Sequence, residues 1–358
     1  MKRLLPRIML AAAMTITAAQ AQTDAPRFYR GDYDDQKAEA PNGAIVNDAY
    51  RKFITEGPFS EAKIFEPHDG VWSIVGYSLS NYTFIKGETG LIAFDTGNNI
   101  GMGQQVLELL RTKTNLPIVA IIYSHHHYTG GAAAYAEEGK GDIPVYGHPD
   151  LDANLVSTGG ALGPMQFRRT AIQLGFYLPH DGPDAVFGPA EPTFDEPALN
   201  ANGHLPVTHP VTDGEEAVID GLRVVFHHAV ADTQDSVIVH FPDLDLVLHN
   251  TAVTPNAFSM YTLRGDFYRD PREMIGSIDK MRALRPEIMI GCHGGPVVGA
   301  DDAYEIMTAH RDYYAFVYNQ SVRAINLGMT PNEMAHTIRI PKHLAEHPWL
   351  YPGYVDSE

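Results

Sequence analysis

Three consecutive histidines, His125-His126-His127, stand at the end of an apolar run and just before Gly130-Gly131. Neutral imidazole is the commonest side-chain ligand of transition metals, so the first chemistry this pattern suggests is metal binding. The run Pro117 to Tyr123 reads as a buried strand. In an extended continuation of it, residues 125 and 127 point the same way and both rings reach one ion, whereas His126 faces the other side. A further histidine, His293, follows a second buried run in Cys292-His293-Gly294-Gly295-Pro296 and reads as a ligand or wall of the same site. His227, His228 and His249 also fall near strand ends; they are reserve ligands, although each alone reads as structural. Asp95 reads as a group behind the ligands or as a turn cap.

The elements that must position these groups are legible from periodicity and punctuation. Strands are predicted at Val71–Val75, Asn81–Lys86 and Leu91–Phe94, then a helix from about Met102 to Thr112 leading to the histidine strand. After the histidines come a short helix, Ala132–Glu138, and a strand, Ile143–Tyr146. Residues 151–210 are rich in Gly and Pro with little periodicity, which predicts a long insertion or loop near the site. Strands resume at Glu216–Ile219, Leu222–His227, Ser236–Phe241 and Leu244–His249. Pro271–Leu284 reads as a helix with Met274, Ile278 and Met281 on one face, and Glu287–Ile290 as the last buried strand. Beyond Asp301 the pattern is helical. Ala303–Leu327 is long, and Thr330-Pro331-Asn332-Glu333 carries the N-cap, first-position Pro and third-position Glu of a helix start. Tyr313, Tyr314, Phe316, Val317 and Tyr318 on the long helix exceed what one helix back hides, which predicts a homodimer through residues beyond about 301.

Composition sets the frame. At 358 residues, 44% hydrophobic and 20% charged, the chain suits one large globular domain with a smaller appendage. Lys2, Arg3 and Arg7, the apolar run Ile8–Ala19 and the closing Ala19-Gln20-Ala21 predict a signal peptide over residues 1–21, hence a periplasmic or secreted protein with no stable membrane span. Its removal takes three cations and moves the formal charge from −18 to −21. Such a surface excludes nucleic acid as a partner, and an anionic substrate would need cations local to the site. Cys292 is the single cysteine, so no internal disulfide is available to an exported chain. Residues 22–64 are polar and read as an extended N-terminal arm; residues 65–300 form the main domain and 301–358 the helical region.

The segment from His125 to Gly131 resembles the metallo-β-lactamase motif H-x-H-x-D-H followed by one residue and Gly-Gly, except that only Tyr128 and Thr129 stand between His127 and Gly130, so the motif Asp-His pair is missing. Gly70-Val71-Trp72, Gly76-Tyr77-Ser78-Leu79-Ser80-Asn81-Tyr82, Arg168-Arg169, Tyr261-Thr262-Leu263-Arg264-Gly265 and the stretch Tyr313-Tyr314 to Pro331 are similar to the linear primary and secondary alkylsulfatases within that superfamily. The resemblance implies an α/β fold, the αβ/βα sandwich of metallo-β-lactamases, followed by a helical, dimerisation-like extension. It implies a first metal site of His125, His127 and an acid near residues 232–235, with Asp235 the choice and Asp232 the reserve. Asn250 takes the position of a bridging acid, and His293 is what remains of a second site. Arg264 and Gly175 are the implied substrate-binding residues. The family's Ser-His-Asn segment with its leaving-group acid, and the lipid-carrier-like domain after it, have no counterpart by Glu358, so no general acid is assigned and the expectation is of a chain without that domain.

These implications define the expected activity: metal-dependent cleavage of alkyl sulfate esters to alcohol and sulfate, with zinc as cofactor at no more than one ion per chain, impaired by the loss of the motif Asp-His. Two alternatives stand beside it. One is a non-catalytic periplasmic protein of the same fold that binds a small ligand; the other is a hydrolase of the superfamily acting on a lactone or β-lactam.

Overall fold

Apolar runs without polar alternation predict strands covered on both faces, and the structure, a computed structural model, contains two sheets covered in that way. It describes residues 36–57, 62–139, 142–160, 163–187, 194–262 and 264–351. The expected signal peptide and the arm up to residue 35 lie outside the described residues. Residues 36–57 of the arm do not form a single extended segment. A small hairpin of β1 (Lys37–Glu39) and β2 (Ile45–Asn47) leads into α1 (Asp48–Glu56), whose first turn is capped by the Asn47 side chain.

The first sheet has seven strands in the order β3 (Lys63–His68), β4 (Val71–Val75), β5 (Tyr82–Lys86), β6 (Leu91–Phe94), β7 (Ile118–Ile122), β8 (Val145–Gly147) and β9 (His209–Pro210). Strands β3 to β6 are antiparallel, and β6 to β9 are parallel. A parallel pair needs a crossover, and between β6 and β7 this is α2 (Ile100–Leu110), capped by Asn99. After β7 comes α3 (Ala132–Gly139). Residues 151–210, predicted as irregular, instead contain α4 (Leu151–Gly159) and α5 (Gly163–Gln173). The pattern hid them because a helix that buries almost nothing has no apolar stripe to read: only Ala171 of α5 is buried.

The second sheet runs β10 (Glu216–Ile219), β11 (Leu222–His228), β12 (Val237–Phe241), β13 (Leu246–His249), β14 (Ile288–Gly291) and β15 (Val297–Val298). Only β13 and β14 are parallel, joined through α6 (Pro271–Leu284), whose start carries Asp270 as cap and Pro271 at the first position. The tail holds α7 (Ala300–Asn326), α8 (Pro331–Thr337), with both halves of the Thr330–Glu333 capping box formed, and α9 (Lys342–Ala345).

Three apolar layers hold this together. Ile85, Ile92, Phe94 and Ile122 of the first sheet meet Phe226, Val239, Leu248 and Ile290 of the second. Outside the first sheet, Met102, Val106 and Tyr135 cover Ile74, Phe84 and Ile121; outside the second, Met274, Ile278, Met281 and Met307 cover Ile238, Val247 and Met289. The architecture is helix–sheet–sheet–helix, and each parallel crossover directs two strand ends to one edge. Tyr313 and Tyr314 are buried within the second outer layer, and Phe316 and Val317 pack against it. Of the five side chains on which the expected homodimer rested, Tyr313 and Tyr314 are thus buried by the chain itself, whereas Phe316, Val317 and Tyr318 are half-buried. Among the described residues no helix is long and apolar enough to cross a membrane.

Two outcomes follow from this packing. Phe226→Ala removes a fully buried ring from between the sheets and should cost about 3–5 kcal/mol in urea unfolding, whereas Val218→Ala, 72% exposed on β10, should stay within about 0.5 kcal/mol. Burial pushes the His310 imidazole, on α7, down to about 4 from its usual 6.5. Between those values the unfolded chain binds the proton and the folded chain does not. His310 thus contributes full stability above pH 6.5, and that contribution is lost as pH falls toward 4, by roughly 3 kcal/mol when titration is complete. His310→Gln should flatten this part of the stability–pH curve whatever its effect on the absolute level.

Candidate metal centre

Strands β6 and β7 are parallel neighbours, so their carboxyl ends lie level, and Asp95 of one meets Ser124 of the other. Asp95 is fully buried in the left-handed backbone region at φ 59°. It accepts from the Ser124 N–H at 2.8 Å and from the Ser124 hydroxyl at 2.7 Å. Burial pushes its carboxyl up to about 6, against the lowering effect of His125 and the two Ser124 hydrogen bonds. A hydroxyl has one proton. With that proton on Asp95, Ser124 Oγ accepts from His125 Nδ1–H at 2.7 Å, which fixes the tautomer and leaves the Nε2 lone pair facing inward. His125 is wholly buried, and this Nε2 has no hydrogen-bond partner.

The next residues are not extended. His126–Tyr128 form a single 3-10 turn, which brings His126 inward as well. Its N–H and Nδ1 both reach Asp235, at 2.9 Å each. Asp235 is thereby occupied and does not join His125 and His127; the acid that does is Asp232. Although burial alone would raise both carboxyls, the imidazoles beside them hold Asp232 and Asp235 well below the usual carboxylate range. Asp232 Oδ2 lies 3.5 Å from His125 Nε2 and 3.0 Å from His127 Nδ1, while Oδ1 accepts from the Thr251 hydroxyl at 2.7 Å.

This group fits a metal ion. His125 Nε2, His127 Nδ1 and an Asp232 oxygen all lie within 4.8 Å of one another. Two lone pairs facing each other across 3.5 Å in a dry site need positive charge between them, either a proton on the imidazole or a cation. Ligation through His127 Nδ1 would leave its Nε2 protonated, and Asp266 Oδ2 stands 3.7 Å from that nitrogen to receive it.

A cavity of about 190 Å³ opens over this group, bounded by His127, Tyr128, Asp232, His293, Arg264 and Arg269, with Leu79, Asn98, Thr170, Gln173, Leu174, Phe258, Ser259 and Thr262 completing the wall. Arg264 pairs with Asp266 and sits 3.4 Å from His127 Nε2. Gln173 of α5 accepts from the Arg264 N–H and the Thr262 hydroxyl, so the helix sequence reasoning missed also sets the loop that carries the arginine. Arg269 is buried, donates to the Asp232 carbonyl at 3.1 Å and stacks on Phe258.

Other expected residues take different places. His293 reaches the cavity, but its Nδ1 donates to the Leu79 carbonyl at 2.7 Å and its Nε2 meets the Tyr128 hydroxyl at 3.1 Å; burial pushes its imidazole down to about 4. Asn250, expected at the position of a bridging acid, is engaged with backbone groups. Its amide nitrogen donates to the Ala229 carbonyl and its oxygen accepts from the Ala252 N–H, which fastens the loop carrying Asp232 to the end of β13. Gly175 is not in the cavity wall. At φ +71° it closes α5, and a Cβ there would meet Val186 and Leu178. The reserve ligands are also engaged elsewhere: His249 Nδ1 pairs with the Asn250 carbonyl and His228 Nε2 with the Val211 carbonyl, while His227 is outside the cavity wall. Ser124, Thr251, Tyr128 and Arg269 were not foreseen. A hydroxyl directly before a ligand histidine, level with an acid at the neighbouring strand end, was the one available signal, and it concerned Ser124.

The sequence matches the metallo-beta-lactamase superfamily over residues 75–293. It is 31% identical over 278 residues to the linear primary-alkylsulfatase of Pseudomonas sp. (strain ATCC 19151), covering 75% of this chain and 52% of that protein. To the alkyl/aryl-sulfatase of Saccharomyces cerevisiae (strain ATCC 204508 / S288c) it is 26% identical over 364 residues, 93% of this chain and 55% of the other. The chain thus spans about half the length of these curated relatives. The solved structure of the stereoselective inverting sec-alkylsulfatase Pisa1 from Pseudomonas sp. shares the fold, with a TM-score of 0.69 at 20% identity over 95% of this chain and 62% of that one. The motif, the two-sheet architecture and these relatives agree: the chain belongs to the metallo-beta-lactamase superfamily, as an alkylsulfatase-like member.

Proposed function

We propose that the protein is a zinc-dependent hydrolase of alkyl sulfate esters that holds one ion per chain and works more slowly than a two-metal enzyme. The observation that carries this reading is the buried, partnerless Nε2 of His125, beside His127 Nδ1 and an Asp232 oxygen. Three protein ligands leave one coordination position open, as at catalytic zinc sites. When bound, zinc supplies Lewis acidity to an ester oxygen and to water. The chain's own residues do the rest. Arg264, held by Asp266 at the cavity wall, offers planar donors that suit a sulfate headgroup. Leu174 and Phe258 give the alkyl chain an apolar way out. Support for a single ion comes from His293, whose Nε2 already meets Tyr128, and from Asn250, whose amide is engaged. The pattern of residues 1–21 supports action outside the cytoplasm.

A non-catalytic binding protein is the second reading, favoured by the same engagement of Asn250 and His293. The two separate cleanly, because both bind metal and sulfate but only the first turns over.

Purified protein dialysed against zinc-free buffer is expected to retain one zinc equivalent. His125→Ala and Asp232→Asn should fall close to zero, while Asp235→Asn should keep its metal. Two equivalents in the unaltered chain would overturn the single-ion reading. Hydrolysis of a medium-chain alkyl sulfate should disappear on chelation and return with zinc; metal binding without turnover would select the second reading. Arg264→Ala should weaken inhibition by inorganic sulfate roughly tenfold to hundredfold, the range of a hydrogen-bonded charge pair. Unchanged inhibition would remove Arg264 from the site.

A further inference from the structure

The segment 153–180 contains no Asp or Glu in 28 residues, in a chain that carries 44 acids. It covers most of α4, all of α5 and the turn after it, and it carries a concentration of exposed large apolar side chains. Met165, Phe167, Ile172, Phe176, Tyr177 and Leu178 all face solvent, Phe167 at 66% and Tyr177 at 70% exposure. Arg168 and Arg169 are exposed on the same helix. Helix α5 is tied to the body through Ala171 and through Gln173, which accepts from Thr262 and Arg264. Apolar residues this numerous on one short segment exceed the scattered exposure normal for a soluble surface.

We propose that α5 and the turn that follows it form a peripheral docking face for an anionic lipid bilayer. Phenylalanine, isoleucine, leucine and methionine side chains suit the acyl boundary, the Tyr177 ring suits the interface, and the paired arginines suit phosphate headgroups. Charge complementarity selects an anionic surface. The chain as a whole has a formal charge of −18, which repels such a surface, yet the docking segment is free of acids and carries two cations. With a Debye length of about 8 Å at physiological ionic strength, acids on distant faces are screened while the arginines at contact are not. Binding of this kind needs no membrane-crossing helix. Because Thr170, Gln173 and Leu174 of the same segment line the cavity, docking would bring the cavity mouth to the bilayer. The proposal rests on this surface alone and stands whether or not the site hydrolyses sulfate esters.

The test is co-sedimentation of the full chain with vesicles of phosphatidylcholine containing phosphatidylglycerol, against phosphatidylcholine alone, in low and high salt, with light scattering of the free protein. Binding to the anionic vesicles is expected, weakened by salt. Arg168→Glu with Arg169→Glu should lower the partition coefficient roughly tenfold or more, from two arginines near the surface. Phe167→Ser with Phe176→Ser should lower it similarly, and Val218→Ser, on the exposed edge of the other sheet, should leave it unchanged. Thermal melts establish that each variant is folded; exposed substitutions of this kind are expected to melt as the parent does. Three results would overturn the proposal. One is no binding to anionic vesicles. Another is equal binding by folded patch variants. The third is a free protein whose mass is that of an oligomer and drops to the monomer in the patch variants, which would make a second copy the occupant.

Discussion

Asp232 carries a full negative charge where almost no water reaches it, and the surroundings are arranged to answer that charge. Burying an unpaired carboxylate is among the most expensive things a fold can do. Here Thr251 donates to one oxygen, two imidazoles face the other, and the Arg269 guanidinium is bound to the backbone carbonyl of the same residue. Behind His125 stands a second buried acid, Asp95, linked through Ser124. Two carboxylates and a chain of imidazoles are thus held within one desolvated shell. The single most exposed imbalance in it is the His125 Nε2 lone pair. A cation at that point would neutralise one carboxylate directly and the other through the Ser124 relay, which is the electrostatic reason for reading the group as a metal centre and not as a core polar network.

The sheets supply the rigidity this needs. Each brings a parallel pair to the site, β6–β7 from the first and β13–β14 from the second, and the site lies beyond the carboxyl ends of these four strands. Asp95, Ser124 and His125 come from the first pair, His249 to Thr251 and His293 from the second, and Asp232 from the loop between β11 and β12. Since the inner apolar layer fixes the sheets against each other, the distance between the first and second halves of the site is a packing property. Loop details can change without moving it.

The sequence was most legible where burial dictates pattern. Val71–Val75, Leu91–Phe94 and Pro271–Leu284 have the boundaries that their apolar runs and caps predict. Pattern failed for α4 and α5, whose faces are mostly open to solvent, and for the hairpin and helix within residues 37–56, which bury little. In the site, His125 and His127 could be read from a strand end and a motif. The choice between Asp232 and Asp235 could not, because it depends on the 3-10 turn that gives His126 its own carboxylate. Nor could the fate of Asn250, since a side-chain amide that binds two backbone groups looks the same in a sequence as one that binds a metal.

The two glycines after the histidines carry a consequence for how this motif can vary. A side chain on Gly130 would strike the Asn98 carbonyl, and one on Gly131 the Thr96 carbonyl, each at 2.1 Å. Just before them, Thr96 N–H donates to the Tyr128 carbonyl and Gly130 N–H to the Gly97 carbonyl. The two stretches are zipped together with no slack, so the spacer between His127 and Gly130 has a length fixed by its neighbour. A longer spacer could be housed only if the Asp95–Asn99 turn were rebuilt at the same time. The short motif is therefore one half of a matched pair of loops, and its length is tied to the path of the Asp95–Asn99 segment beside it.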